Sequence, residues 1–179
     1  MSLPQSPKPA KLVIGLFLKD KGLIYALADE LANKFGPFDL VSPWFPFDFT
    51  SYYEKEMGAP LFRRLFTFKY LIQQNVLADI KISTNKIEQK YAQHNKRRVN
   101  IDPGYMLLER FVLASGKNFS HRIYLDKGIY ADLTLVYERG AFRKLPWTYP
   151  DYSAKLMREH LQQVRRKYAL DLKQEQKYD

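Results

Sequence analysis

The run Lys11 to Leu18, KLVIGLFL, constrains this chain more than any other feature. It is short, and after its lysine it carries no polar side chain. An apolar run of this kind reads as a strand buried on both faces, which places it in the middle of a sheet. It is also the longest apolar run, far short of the ~20 residues that cross a bilayer. The first helix follows at once. Asp20 offers an N-cap, and Leu23, Leu27, Leu31 and Phe35 recur at every fourth position with Ile24, Ala28 and Ala32 beside them. That is the apolar stripe of an amphipathic helix. Gly36-Pro37 ends it, one residue by a left-handed cap and the other by its inability to continue.

Phe38 to Val41 reads as a second strand and Leu61 to Ile72 as a third. Between them, Ser42 to Pro60 is irregular and rich in rings: Trp44, Phe45, Phe47, Phe49, Tyr52 and Tyr53. So much ring surface predicts a loop packed down as a lid, a wall or a core-covering arm. Leu77, Ile80, Thr84, Ile87 and Tyr91 predict a second helix, with Asn75 as its cap. If Val99 to Ile101 opens a further strand, the order is strand, helix, strand, strand, helix, strand, which is the split βαβ, ferredoxin-like order.

Beyond Tyr105 strands dominate. His121 to Leu125 and Ile129 to Tyr137 flank Asp126-Lys127-Gly128, a hairpin turn. Ala141 to Leu145 follows the turn Glu138-Arg139-Gly140. Asp102-Pro103-Gly104-Tyr105 is a turn by local chemistry, and Asp102-Pro103 also has the form of a helix start. The meander instead favours a strand over Met106 to Ala114, which is the reading taken. Met157, Leu161, Val164 and Tyr168 mark a terminal helix with Ser153 as candidate cap. The expected fold is α+β: a mixed or antiparallel sheet with two or three helices, a ferredoxin-like N-terminal part, a β-meander and a C-terminal helix. Residues 1–10 hold three prolines and read as a loose arm, 11–172 as one domain, and 173–179 as a frayed tail.

Lys and Arg number 29 against 19 Asp and Glu, a formal net charge of +10. A basic chain invites nucleic acid or phosphate as partner, although the same charge serves solubility alone. Aromatic residues make up 15% of the chain, which excludes general disorder. The absence of cysteine excludes disulfides, thiolate metal sites and thiol nucleophiles. The start has no apolar signal segment, so a cytoplasmic protein is expected.

Two runs carry a resemblance. One is Asn100-Ile101-Asp102-Pro103-Gly104-Tyr105, preceded by Arg98. The other is Trp147-Thr148-Tyr149-Pro150-Asp151-Tyr152. Lys117 and His121-Arg122-Ile123-Tyr124-Leu125 lie between them. Together they resemble an uncharacterised bacterial and archaeal family, domain of unknown function 4416, over nearly the whole chain. The resemblance implies a compact cytoplasmic protein and carries over no catalytic residues.

The chemistry must come from the residues themselves. The three histidines show neither HxH nor HExxH spacing, so no zinc site is expected. The phosphate loop GxxxxGK[ST], the dinucleotide fingerprint GxGxxG and the nucleophile elbow GxSxG are all absent. Magnesium stays open, since it needs only one or two carboxylates plus a substrate phosphate; Asp102, Asp132, Glu88 and Asp151 are possible ligands, and nothing in their spacing singles one out. The leading expectation is binding of a phosphate-bearing ligand, nucleotide or RNA. Arg98, Lys117 and Arg122 would hold its phosphates, and Tyr105, Trp147 and Tyr149 belong to the same site, with rings for a flat base. The rival is an enzyme acting on a small phosphorylated substrate through Asp102 or Asp132 with His121. A third class is an interaction protein with no ligand. A concave pocket would favour a small-molecule site, and a broad positive face would favour RNA.

Overall fold

The computed structural model describes residues 1–175. The strands are β1 (Ala10–Leu18), β2 (Phe38–Val41), β3 (Phe45–Pro46), β4 (Phe62–Ile72), β5 (Val99–Met106), β6 (Arg110–Ser115), β7 (Arg122–Asp126), β8 (Ile129–Glu138) and β9 (Ala141–Lys144). Three long helices, α1 (Ile24–Phe35), α3 (Leu77–Tyr91) and α5 (Lys155–Glu175), are joined by two single-turn helices, α2 (Glu54–Met57) and α4 (Pro150–Ser153). All nine strands form one antiparallel sheet in the order β2-β4-β1-β5-β6-β8-β7, with β3 added to β4 and β9 to β8. The fold is α+β.

β1 lies where its composition demands. Every residue of it is buried, between β4 and β5. Leu12, Ile14, Leu16 and Leu18 meet Ile24, Leu27 and Leu31 of α1 and Ile80 and Ile87 of α3 on one face. On the other, Val13 and Leu65 join the core under Met157, Leu161, Val164 and Tyr168 of α5. The sub-order β5-β1-β4-β2, with α1 and α3 as crossovers, is the ferredoxin-like arrangement. The rest extends that sheet as a meander.

Local signals are met in part. Asp20 caps the turn into α1 by accepting from the Gly22 N–H at 3.0 Å. Gly36 closes α1 at φ 95°, and a Cβ there would lie 2.5 Å from the Tyr70 ring. Asn75 caps nothing: it falls within a short 3₁₀ turn whose cap position is Gln73. Ser153 ends α4 and donates to the Pro150 carbonyl. Residues 1–8 are exposed without regular structure. Residues 173–175 continue α5 rather than fray, and 176–179 of that expectation lie outside the described residues.

The Asp102–Tyr105 turn and the alternative helix start are both corrected, because these residues form the middle of β5. β6 pairs with β5 only from Gly104 to Met106. Pro103 therefore stands where β5 has already lost one neighbour, a position where a missing N–H removes no ladder bond on that side. A Cβ on Gly104 would sit 2.4 Å from the Val112 carbonyl oxygen, so the close approach at this junction requires glycine.

Candidate functional site

The sheet splits at that junction. β5 and β6 pair over three residues and then diverge, so Val99–Pro103 of β5 have β1 on one side and no strand on the other. The open edge is closed by side chains instead. The Ile101 N–H donates to Glu88 Oε1 at 2.6 Å, and Lys81 Nζ donates to the Ile101 carbonyl at 2.7 Å. Two α3 residues thus take the place of a missing strand, as buried backbone polar groups require. This is why Lys81 and Glu88 are buried on a helix whose spacing marked neither as a core position.

Into this wedge opens a cleft of about 780 Å³. Arg63 of β4, Asn100 and Asp102 of β5, Leu113–Lys117 at the end of β6, and Asp132 of β8 line it from the sheet. Lys81, Asn85 and Glu88 of α3 approach through the gap, Tyr149–Tyr152 enter with α4, and Phe47, Phe49, Tyr52 and Tyr53 come from the aromatic loop. That loop is held down by its own apolar cluster. Phe47 stacks on Phe17 at 4.1 Å between ring centres, Tyr53 meets Phe17 edge-on, and Met57 and Leu61 complete the packing.

Arg63 organises the floor. It is buried, with Phe17, Phe47 and Tyr152 rings each about 5 Å from its guanidinium. It donates to the Tyr152 hydroxyl at 2.8 Å and to Asp102 Oδ2 at 3.3 Å, and its Nε lies 2.9 Å from Asp151 Oδ2. The last contact is an ion pair without hydrogen-bond alignment, which leaves both atoms formally unbonded. Burial works against the guanidinium charge, but Asp151, Tyr152 and Asp102 outweigh it and raise the Arg63 pKa. Room for the group comes from Gly15 beneath it: a Cβ there would be 2.8 Å from the Tyr152 hydroxyl.

A polar chain runs outward from this point. Asn100 Nδ2 donates to Asp102 Oδ1 at 2.8 Å, and Arg97 donates to Asn100 Oδ1 at 2.7 Å while clasping Glu56 through two nitrogens at 2.8 and 2.6 Å. The Arg97 hydrogen bond lowers the Glu56 pKa. Burial raises the pKa values of Asp151 and Glu88, offset only in part by Arg63 and Lys81 respectively. Burial, then the Asp102 charge, pushes the Tyr53 phenol up to about 12.

The expected site residues separate into two groups. Asp102, Lys117, Asp132 and Tyr149 line the cleft. Arg98 lies elsewhere, ion-paired to Asp20 at 3.0 Å. Tyr105 is buried in the α5-side core. Trp147 stacks on His121 at 5.0 Å and donates to the Leu133 carbonyl, outside the lining. Arg122 stands behind the cleft wall with its donors committed to Asp132 at 2.9 Å, the Lys117 carbonyl at 2.9 Å and the Tyr149 hydroxyl at 2.5 Å. His121 Nε2 is 3.3 Å from the same Asp132 oxygen. The triad Arg98, Lys117 and Arg122 is therefore not gathered. Lys117 alone of the three faces the cleft, and among the described residues it has no carboxylate within ion-pair distance. Its ammonium sits 5.1 Å from the Tyr52 ring centre.

Arg63, Lys81 and Asn100 escaped the sequence reading as site members, and Glu88 and Asp151 entered it only as possible magnesium carboxylates. Asn100 and Asp151 belong to the two motif runs, which was the available signal. Arg63 in a strand and Lys81 and Glu88 on a helix look like ordinary solvated charges until the β5 edge is seen to be open.

A family model described as Domain of unknown function (DUF4416) matches residues 8–168. The chain belongs to that family. The match covers both motif runs and every cleft residue, so the wedge lies wholly inside the DUF4416 region. No curated protein and no solved structure matches the chain. Among the described residues no helix is long and apolar enough to cross a membrane, and no three His, Asp or Glu side chains gather as a metal site.

Proposed function

We propose that the cleft binds a small phosphate-bearing ligand of the nucleotide class. The observation that carries this reading is Lys117, a cleft cation with no carboxylate partner among the described residues. An exposed ammonium at the cleft, beside the Tyr52 ring, favours an anionic guest. The cleft volume falls in the range of small-molecule sites, roughly 300–1,000 Å³, and the Tyr52, Tyr53 and Tyr149 rings offer surface for a planar base. The lining holds four basic residues, Arg63, Lys81, Arg97 and Lys117, against four acidic ones, Glu88, Asp102, Asp132 and Asp151. A balanced concave lining suits one small molecule better than the broad positive face that RNA requires.

The test is a thermal-shift series with nucleoside mono-, di- and triphosphates, inorganic phosphate as control, and RNA titrated at two salt concentrations. Nucleotides should raise the melting temperature by occupying the folded state, and Lys117→Ala should abolish the rise while leaving the unliganded protein as stable as before. An unresponsive wild type, or a Lys117→Ala variant that responds undiminished, refutes the reading. Tight RNA binding that weakens steeply with salt, without a nucleotide response, would replace it.

A further inference from the structure

We infer that Asp102 reads the sugar hydroxyls of the ligand, so that the cleft prefers ribonucleotides to their 2′-deoxy forms; this rests on the nucleotide reading above. The Asp102 carboxylate is fixed at both oxygens before any ligand arrives, Oδ1 by Asn100 at 2.8 Å and Oδ2 by Arg63 at 3.3 Å. Its side chain is nevertheless 25% exposed, and it lines the cleft. Each carboxylate oxygen has a second lone pair, so the group offers acceptor sites toward the cleft in a geometry that needs no reorganisation.

The charges around it select what can approach. Glu88, Asp102 and Asp151 share the floor with Arg63 and Lys81, three carboxyl groups against two cations. A phosphate placed there would meet net repulsion, which sends it to Lys117 instead. An ammonium is drawn by the net charge but must come within reach of Arg63 and Lys81, which already stand 3.3 and 3.9 Å from the same carboxylate and repel it. A neutral hydroxyl meets neither penalty and donates to a charged acceptor, the stronger kind of hydrogen bond. The cleft is thus polarised, with a hydroxyl-reading floor and a phosphate-reading lysine. A nucleotide carries both functions on one sugar.

The experiment is isothermal titration of the wild type with the ribonucleoside 5′-monophosphates and their 2′-deoxy counterparts, repeated on Asp102→Asn and Lys117→Ala. Loss of a hydrogen bond to a charged acceptor should weaken the deoxy forms about tenfold or more. Asp102→Asn should bring the ribo-to-deoxy ratio close to one, whereas Lys117→Ala should weaken both forms alike and preserve the ratio. Equal affinity for the two sugars in the wild type overturns the inference and leaves nucleotide binding standing. So does a ratio that Asp102→Asn does not change. Failure of every nucleotide to bind overturns the nucleotide reading and this inference with it. The wild-type ratio does not depend on any variant folding.

Discussion

Replacing Arg63 with methionine removes one partner from a buried charge cluster and keeps most of its volume. The side chain is only 3% exposed and touches two carboxylates and three rings, one of them the Tyr152 phenol. Breaking a buried pair from one side costs about 3–5 kcal/mol, because the surviving carboxylate is left buried without compensation. At roughly 2–4 °C per kcal/mol for a chain of this size, the melting temperature should fall by ~6–20 °C. The loss should depend on pH, with a sign fixed by Asp151. Burial already raises its folded pKa, so the folded state holds its proton to higher pH than the unfolded chain. Stability is then lost as pH rises from the ordinary carboxylate range through the folded pKa. Without Arg63 that pKa rises further. The penalty of Arg63→Met should therefore be smaller at a mildly acid pH, where Asp151 takes up its proton more readily than an ordinary carboxylate, than at a pH above neutrality. Urea denaturation of wild type and variant at both pH values measures it. Adding Asp151→Asn should recover a large part of the loss at high pH. An equal loss at the two pH values, or no recovery in the double variant, would refute the account of Arg63 as the counter-charge that makes the floor possible.

Leu27→Ala should destabilise by about 2–5 kcal/mol in the same assay, since the side chain is fully buried between α1 and the sheet. Gly104→Ala should cost ~1–3 kcal/mol by driving a methyl group against the Val112 carbonyl, and hydrogen exchange should show loosened amides in β5 and β6 first. Burial lowers the His160 pKa and leaves its Nε2 without a hydrogen bond. Its contribution is thus present above the unfolded pKa of about 6.5 and lost as pH falls through the folded value. His160→Phe should flatten the acid limb of the stability curve below pH 6.5, as read by melting temperature against pH.

Periodicity and apolar runs determined most of the architecture by themselves. β1 is buried on both faces because no polar side chain follows Lys11. α1, α3 and α5 lie where stripes at three- and four-residue spacing place them, since helix geometry turns such spacing into one apolar face. The Asp126-Lys127-Gly128 turn forms as its composition dictates, with Lys127 and Gly128 both at positive φ. Local chemistry misled at Asp102-Pro103. A proline is neutral to a strand only if the missing donor faces no neighbour, and that depends on where β6 stops pairing, a long-range fact. The site shows the same division. The two motif runs marked Asp102 and Tyr149, Lys117 lay between them, and Asp132 was named as a carboxylate of the rival enzyme reading. No local pattern could show that α3 would have to close the edge of β5 with Lys81 and Glu88, or that Gly15 would leave space for Arg63. Charge alone also failed to separate Arg98, Lys117 and Arg122. Their roles were decided by which carboxylates tertiary packing placed beside them: Asp20 for Arg98, Asp132 for Arg122, and none of the described residues for Lys117.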